Sequence, residues 1–117
     1  MSGRLRKVES QLKEIAGEEV ASLSDPRIQG LVTVTGVRVS PDLAQATVFY
    51  SVLAGKDAGS AHEGLQSAAG RVQAAVGAQT RLRRTPRLRF ELDPVVDQAI
   101  RIEAALREVK KDDRADD

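Results

Sequence analysis

Residues 32–52 read VTVTGVRVSPDLAQATVFYSV, and the fold class turns on them. Val32 and Val34 alternate with Thr33 and Thr35, Gly36 shifts the phase, and Val37 and Val39 then alternate with Arg38. A period of two marks a strand with one face on a core, and a phase slip at a glycine is where a β-bulge fits. Ser40-Pro41-Asp42 is a turn signal, after which Ala44, Ala46, Val48, Tyr50 and Val52 alternate with Gln45, Thr47, Phe49, Ser51 and Leu53. Two such strands joined by a short turn make a hairpin.

On the N-terminal side, Leu5, Val8, Leu12, Ile15, Ala16, Val20 and Leu23 recur at spacings of three and four, which predicts a helix from about residue 4 to 23, ended by Ser24-Asp25-Pro26. On the C-terminal side, residues 54–60 form a loop, and Ser60-x-x-Glu63 has the spacing of a capping box that opens a second helix. Leu65, Ala68, Ala69, Val72, Ala75 and Val76 keep the helical period, but Gly70 interrupts it at a cost of about 1 kcal/mol relative to alanine, so a kink or break is expected at Ala69-Gly70. Leu88, Phe90 and Leu92 alternate with Arg87, Arg89 and Glu91 as a third strand. Asp93 then caps a last helix that starts at Pro94. The expected order is α-β-β-α-kink-α-β plus a C-terminal helix, an α+β domain over 1–94, with the helix over 95–110 and a disordered acidic tail over 111–117.

The 117 residues, 41% of them hydrophobic, suffice for one domain with one modest core. Lys plus Arg is 18 against 17 acids, a formal charge of +1 that hides two opposed fields. Residues 71–89 carry six arginines and no acid, giving +6, while residues 91–117 carry nine acids against five bases, giving −4. The absence of cysteine excludes disulfide scaffolds, thiolate metal sites and thiol catalysis. No apolar run is long enough to span a membrane, and the opening Met1-Ser2-Gly3-Arg4-Leu5-Arg6-Lys7 has no apolar signal core behind its charges. The expected setting is therefore the cytoplasm.

Enzymatic constellations fail in turn. The single histidine, His62, has no second histidine with which to bind a metal and reads as a solvated helix-start residue. No phosphate loop or hydrolase elbow is present. Glu18-Glu19, Asp112-Asp113 and Asp116-Asp117 fall at helix ends or in the tail, where a solvated surface explains them. Neither an enzyme nor a cofactor is expected.

The strongest signal is Arg81-Leu82-Arg83-Arg84-Thr85-Pro86-Arg87-Leu88-Arg89, with five arginines and no lysine in nine residues. Guanidinium is the group that binds phosphate bidentately, so the run favours a nucleic acid. A plainer reading makes it a solvated connector whose arginines pair with the acidic C-terminus. If Leu88 and Phe90 face the core, Arg87 and Arg89 face out together. A helix restarting at Gly70 would offer free N–H groups to an anion beside Arg71, whereas a helix that only bends around its core would offer none. Thr33, Thr35, Thr47 and the N-terminal Arg4, Arg6 and Lys7 are weaker candidates. Phe49 and Tyr50 point to opposite faces, which sets aside an RNA-recognition motif with several aromatics on one sheet face.

Taken in order, Asp25-Pro26-Arg27-Ile28, Val32-Thr33-Val34-Thr35-Gly36-Val37, Ser40-x-Asp42-Leu43-x-x-Ala46-x-Val48, Ala68-Ala69-Gly70, Leu82-Arg83-x-x-Pro86-x-Leu88-x-Phe90 and Asp93 resemble the ribosome-binding factor A family. The chain departs from that pattern at Pro41, which stiffens the turn, and the match runs from about residue 4 to 94. The resemblance implies a single type II KH-like domain in which Ala-x-Gly replaces Gly-x-x-Gly, a motif this sequence lacks. It further implies a bacterial assembly factor that binds the free small (30S) ribosomal subunit late in maturation. Such a factor acts on 16S rRNA near its 5′-terminal helix and the neck, supports processing of the 16S precursor and leaves before translation. Carried over by position, Ala68, Ala69, Gly70 and Arg71 would lie against RNA, with Arg81, Arg83 and Arg84 beside them. A general KH-like RNA binder and a protein-interaction module are the rival readings. No membrane or small-molecule partner is expected, and no leftover apolar helix face demands a dimer.

Overall fold

The computed structural model describes residues 2–95 and 106. Five elements follow one another: α1 (Ser2–Ala21), β1 (Val32–Val39), β2 (Gln45–Val52), α2 (Ala58–Gln79) and β3 (Arg87–Leu92). The hairpin forms as its alternation requires. β1 pairs antiparallel with β2, and the register slips between Val34 and Gly36, leaving Thr35 as the extra residue of a bulge. Its hydroxyl donates to Asp93 Oδ2 at 2.7 Å, which ties β1 to the residue that follows β3. β3 joins the other side of β2 in parallel, giving a three-stranded sheet in the order β1-β2-β3. Parallel neighbours need a long crossover, and α2 supplies it.

Both helices cover one face of the sheet. Leu12, Ile15, Ala16 and Val20 from α1, Leu65, Val72 and Val76 from α2, and Ala46, Val48, Tyr50, Leu88 and Phe90 from the strands form one buried cluster. Gln45, Thr47, Arg87 and Arg89 fall on the opposite phase of their strands and turn away from it.

The second helix departs from expectation at two points. Its N-cap is Asp57 rather than Ser60, so it starts at Ala58, three residues early, and the Asp57 carboxylate accepts from Ser60 N at 3.1 Å. It also runs unbroken through Gly70 to Gln79. A mid-helix glycine costs about 1 kcal/mol. Burying Leu65 before it and Val72 and Val76 after it stabilises by about 1.5–3 kcal/mol each, and that requires one continuous apolar stripe.

After β3, Asp93 Oδ1 accepts from Val95 N at 3.0 Å, the capping contact expected of Asp93-Pro94. The helix expected over 95–110 and the tail over 111–117 lie, apart from Val95 and Leu106, outside the described residues.

Candidate nucleic-acid interface

Two side-chain contacts fix how the helices lie. Gln11 Nε2 donates to the Gln79 carbonyl at 3.4 Å, and Arg71 Nε donates to Glu19 Oε1 at 2.7 Å. Residues 11 and 19 of α1 therefore meet 79 and 71 of α2, so the helices run antiparallel and the first turns of α1 extend past the C-terminus of α2. The hairpin turn and the α2–β3 loop reach the same end. Val39 N donates to Glu9 Oε2 at 2.8 Å, and Arg87 N donates to the Ala44 carbonyl at 2.9 Å.

This topology collects Arg4, Arg6, Lys7, Arg81, Arg83, Arg84 and Arg87 at one pole of the molecule, all of them exposed. None of these seven side chains has a hydrogen-bond or ion-pair partner among the described residues. Among the described residues, the acids at this pole are engaged by neutral donors. Glu9 accepts from Val39 N, and Asp42 accepts from the Ser40 hydroxyl at 2.7 Å and from Ala44 N at 3.1 Å. Those bonds, the Ser40 hydroxyl first, hold the Asp42 carboxyl below its ordinary value, so it stays ionised.

The basic loop is held in place by α2. Gln73 Nε2 donates to the Pro86 carbonyl at 2.8 Å, and Gln73 Oε1 accepts from Leu88 N at 3.1 Å. Pro86 is fully buried, and Thr80 closes the helix by donating from its N–H and its hydroxyl to the Val76 carbonyl at 3.1 and 2.8 Å. Thr85 packs over Gly77, where a Cβ would lie 2.9 Å from its Oγ1. On β3, Leu88 and Phe90 are buried while Arg87 and Arg89 share the outer face, as the alternation predicts. Arg89 pairs with Glu91 at 2.7 Å, an exposed contact worth no more than about 1 kcal/mol that a phosphate can displace.

The Ala68-Ala69-Gly70-Arg71 segment lies elsewhere. Arg71 is eight residues before Gln79, about 12 Å along the helix from the start of the basic loop. Its guanidinium clasps α1 through Glu19, with a longer contact to the Ser22 hydroxyl at 3.4 Å. Ala68 and Ala69 pack against the core, and Gly70 is exposed in unbroken helix. The structure thus brings the N-terminal and 81–87 cations together and leaves the 68–71 segment apart from them.

Other motif residues do structural work. Asp25 accepts from Arg27 N at 2.9 Å and pairs with its guanidinium at 2.6 Å, which holds the Asp25 carboxyl below its ordinary value. This turn seats Ile28 against Gly64, where a Cβ would lie 3.0 Å from the Ile28 side chain. His62 is not a freely solvated residue. It is half-buried, its Nδ1 is joined to Tyr50 Oη by a 2.8 Å hydrogen bond, and the two rings stack with centroids 6.2 Å apart. Burial pushes the Tyr50 hydroxyl above its ordinary value, so the phenol stays protonated at neutral pH. Sequence reasoning passed over Arg38, whose signal is its place as the outward residue between Val37 and Val39.

No helix among the described residues is long and apolar enough to cross a membrane, and these residues hold no cluster of metal-ligating side chains.

Residues 4–106 match the family model described as Ribosome-binding factor A. A relative of that name from Rubrobacter xylanophilus is 72% identical over 110 residues, covering 94% of this chain and 90% of its own. The crystal structure of ribosome-binding factor A from Thermus thermophilus superposes with a TM-score of 0.69 at 35% identity, covering 75% of this chain and 93% of that one. A homology model of the Thermus thermophilus factor, fitted into a cryo-EM map of its 30S complex, superposes with a TM-score of 0.61 at 36% identity and covers 73% and 90% of the two chains. With its hairpin, crossover helix and third strand in the places the motifs require, the chain belongs to the ribosome-binding factor A family.

Proposed function

We propose that this protein binds the free small ribosomal subunit through its basic pole, contacts 16S rRNA near the 5′-terminal helix, and supports late maturation and processing of the 16S precursor. The observation that carries this is the gathering, at one end of a chain from this family, of seven exposed cations with no partner among the described residues. The Thermus thermophilus relative fitted into a 30S complex map supports the choice of the subunit over RNA in general. The β2-α2-β3 unit with α1 packed beside α2 supports a type II KH-like reading, with Ala68-x-Gly70 in place of Gly-x-x-Gly. The C-terminal helix over 95–110 belongs to the same reading, as do action as a monomer and a cytoplasmic setting.

No covalent chemistry is needed. A binder changes rRNA conformation only as far as it prefers one state over another, and moving a population from 1:99 to 99:1 takes about 10⁴-fold preference. Arginines on phosphates supply affinity, and a subunit conformation that pulls those phosphates apart ends it. Binding to free 30S subunits at rising salt tests this. Neutralising about five phosphates on single-stranded RNA gives a log–log slope near −3.5. The double variant Arg83→Ala/Arg84→Ala should flatten that slope by about 1.4 and keep the wild-type melting temperature. Unchanged affinity in an equally folded variant would remove both residues from the interface.

A further inference from the structure

The sheet turns one face to the helices and leaves the other uncovered by them. Register sets Arg38 on β1 opposite Thr47 on β2, and Thr47 beside Arg89 on β3, a polar row across all three strands. Gln45 and Arg87 form the next row toward the basic pole. With strands about 4.8 Å apart, Arg38 and Arg89 have their backbones about 10 Å apart. Arg38 and Arg87 are exposed and have no ion-pair partner among the described residues. Glu91, also on this face, is paired with Arg89, and Asp93, next on the same phase, holds the Thr35 hydroxyl, so the three arginines exceed these two acids by one charge. Phe49 lies on the same face and is not part of the core cluster. Its partner across the strands is Gly36, where an added Cβ would meet nothing within 4 Å among the described residues, so none of them covers the sheet beside the ring.

The geometry points to this open sheet face as a second RNA-contacting surface, continuous with the basic pole, on which Arg38 and Arg87 hold phosphates and Phe49 stacks on one unpaired base. The chemistry selects the ligand. A protein partner would want an apolar centre depleted of charge. This face instead interleaves guanidiniums and hydroxyls with one aromatic ring, the combination that tracks a single strand by stacking and phosphate contact. The inference rests on the RNA-binding reading above and adds Arg38 and Phe49, which neither the family motifs nor the arginine run contains.

The test measures affinity of the full chain for free 30S subunits over a salt series, with the melting temperature checked for each variant. Arg38→Ala, which leaves the basic pole intact, should weaken binding about threefold and flatten the salt slope by about 0.7, one phosphate. Phe49→Leu should weaken binding at least about fivefold without changing the slope, since stacking carries no counterion. A photo-crosslinking side chain at position 49 should label rRNA. If Arg83→Ala/Arg84→Ala lowers affinity while neither Arg38→Ala nor Phe49→Leu does, the sheet face is excluded and the basic pole stands. Crosslinks confined to ribosomal proteins also exclude it. Should wild-type protein fail to bind subunits at low salt, the underlying reading falls and this one with it.

Discussion

Gly70 shows how a residue's intrinsic preference is overruled by its neighbours. Its backbone is helical, its φ is not positive, and a Cβ built on it meets nothing within 4 Å. Gly70→Ala should therefore stabilise the protein by about 0.5–1 kcal/mol in a urea melt, through lower unfolded-state entropy alone. A loss of stability instead would mean that the helix is broken there. Gly64 is the opposite case, since the Ile28 side chain occupies the space its Cβ would need. Nothing in the sequence separates these two glycines, because the difference lies in what a distant part of the chain packs against each. His62 was illegible for the same reason. Its partner Tyr50 sits on β2, and only the closing of α2 over the sheet brings the two together.

At the level of elements, each strand was legible because burial on one face writes itself as alternation, and Gly36 even marked the bulge. The start of α2 was misread by three residues, because Ser60-x-x-Glu63 has capping-box spacing while Asp57 takes the cap by accepting from Ser60 N. The clamp on β3 had no sequence signal at all. Gln73 is one polar residue in a helix, yet its carboxamide satisfies both a donor and an acceptor at the entrance to the strand that carries Arg87 and Arg89. Gln73→Ala should cost about 1–2 kcal/mol, since it removes two hydrogen bonds at a partly buried strand edge. It should also speed hydrogen exchange at the Leu88 amide. Wild-type exchange in the variant would show that β3 is held by its pairing with β2 alone.

Across the whole molecule, charge is sorted by topology rather than by composition. A formal charge of +1 predicts no nucleic-acid partner, and the arginine run predicts one. Only the antiparallel packing of α1 on α2 adds Arg4, Arg6 and Lys7 to the same pole, which is why those residues ranked as weak candidates in the sequence. The same packing separates Arg71 from the loop arginines and gives it a structural partner in Glu19. The central claim, that this pole serves a free small subunit and not translating ribosomes, is tested most directly by sucrose-gradient sedimentation of a bacterial lysate containing the tagged chain at low salt. The account predicts the protein in the free 30S fractions and its absence from polysomes. Protein remaining at the top of the gradient, or spread equally through 30S, 70S and polysome fractions, would contradict it.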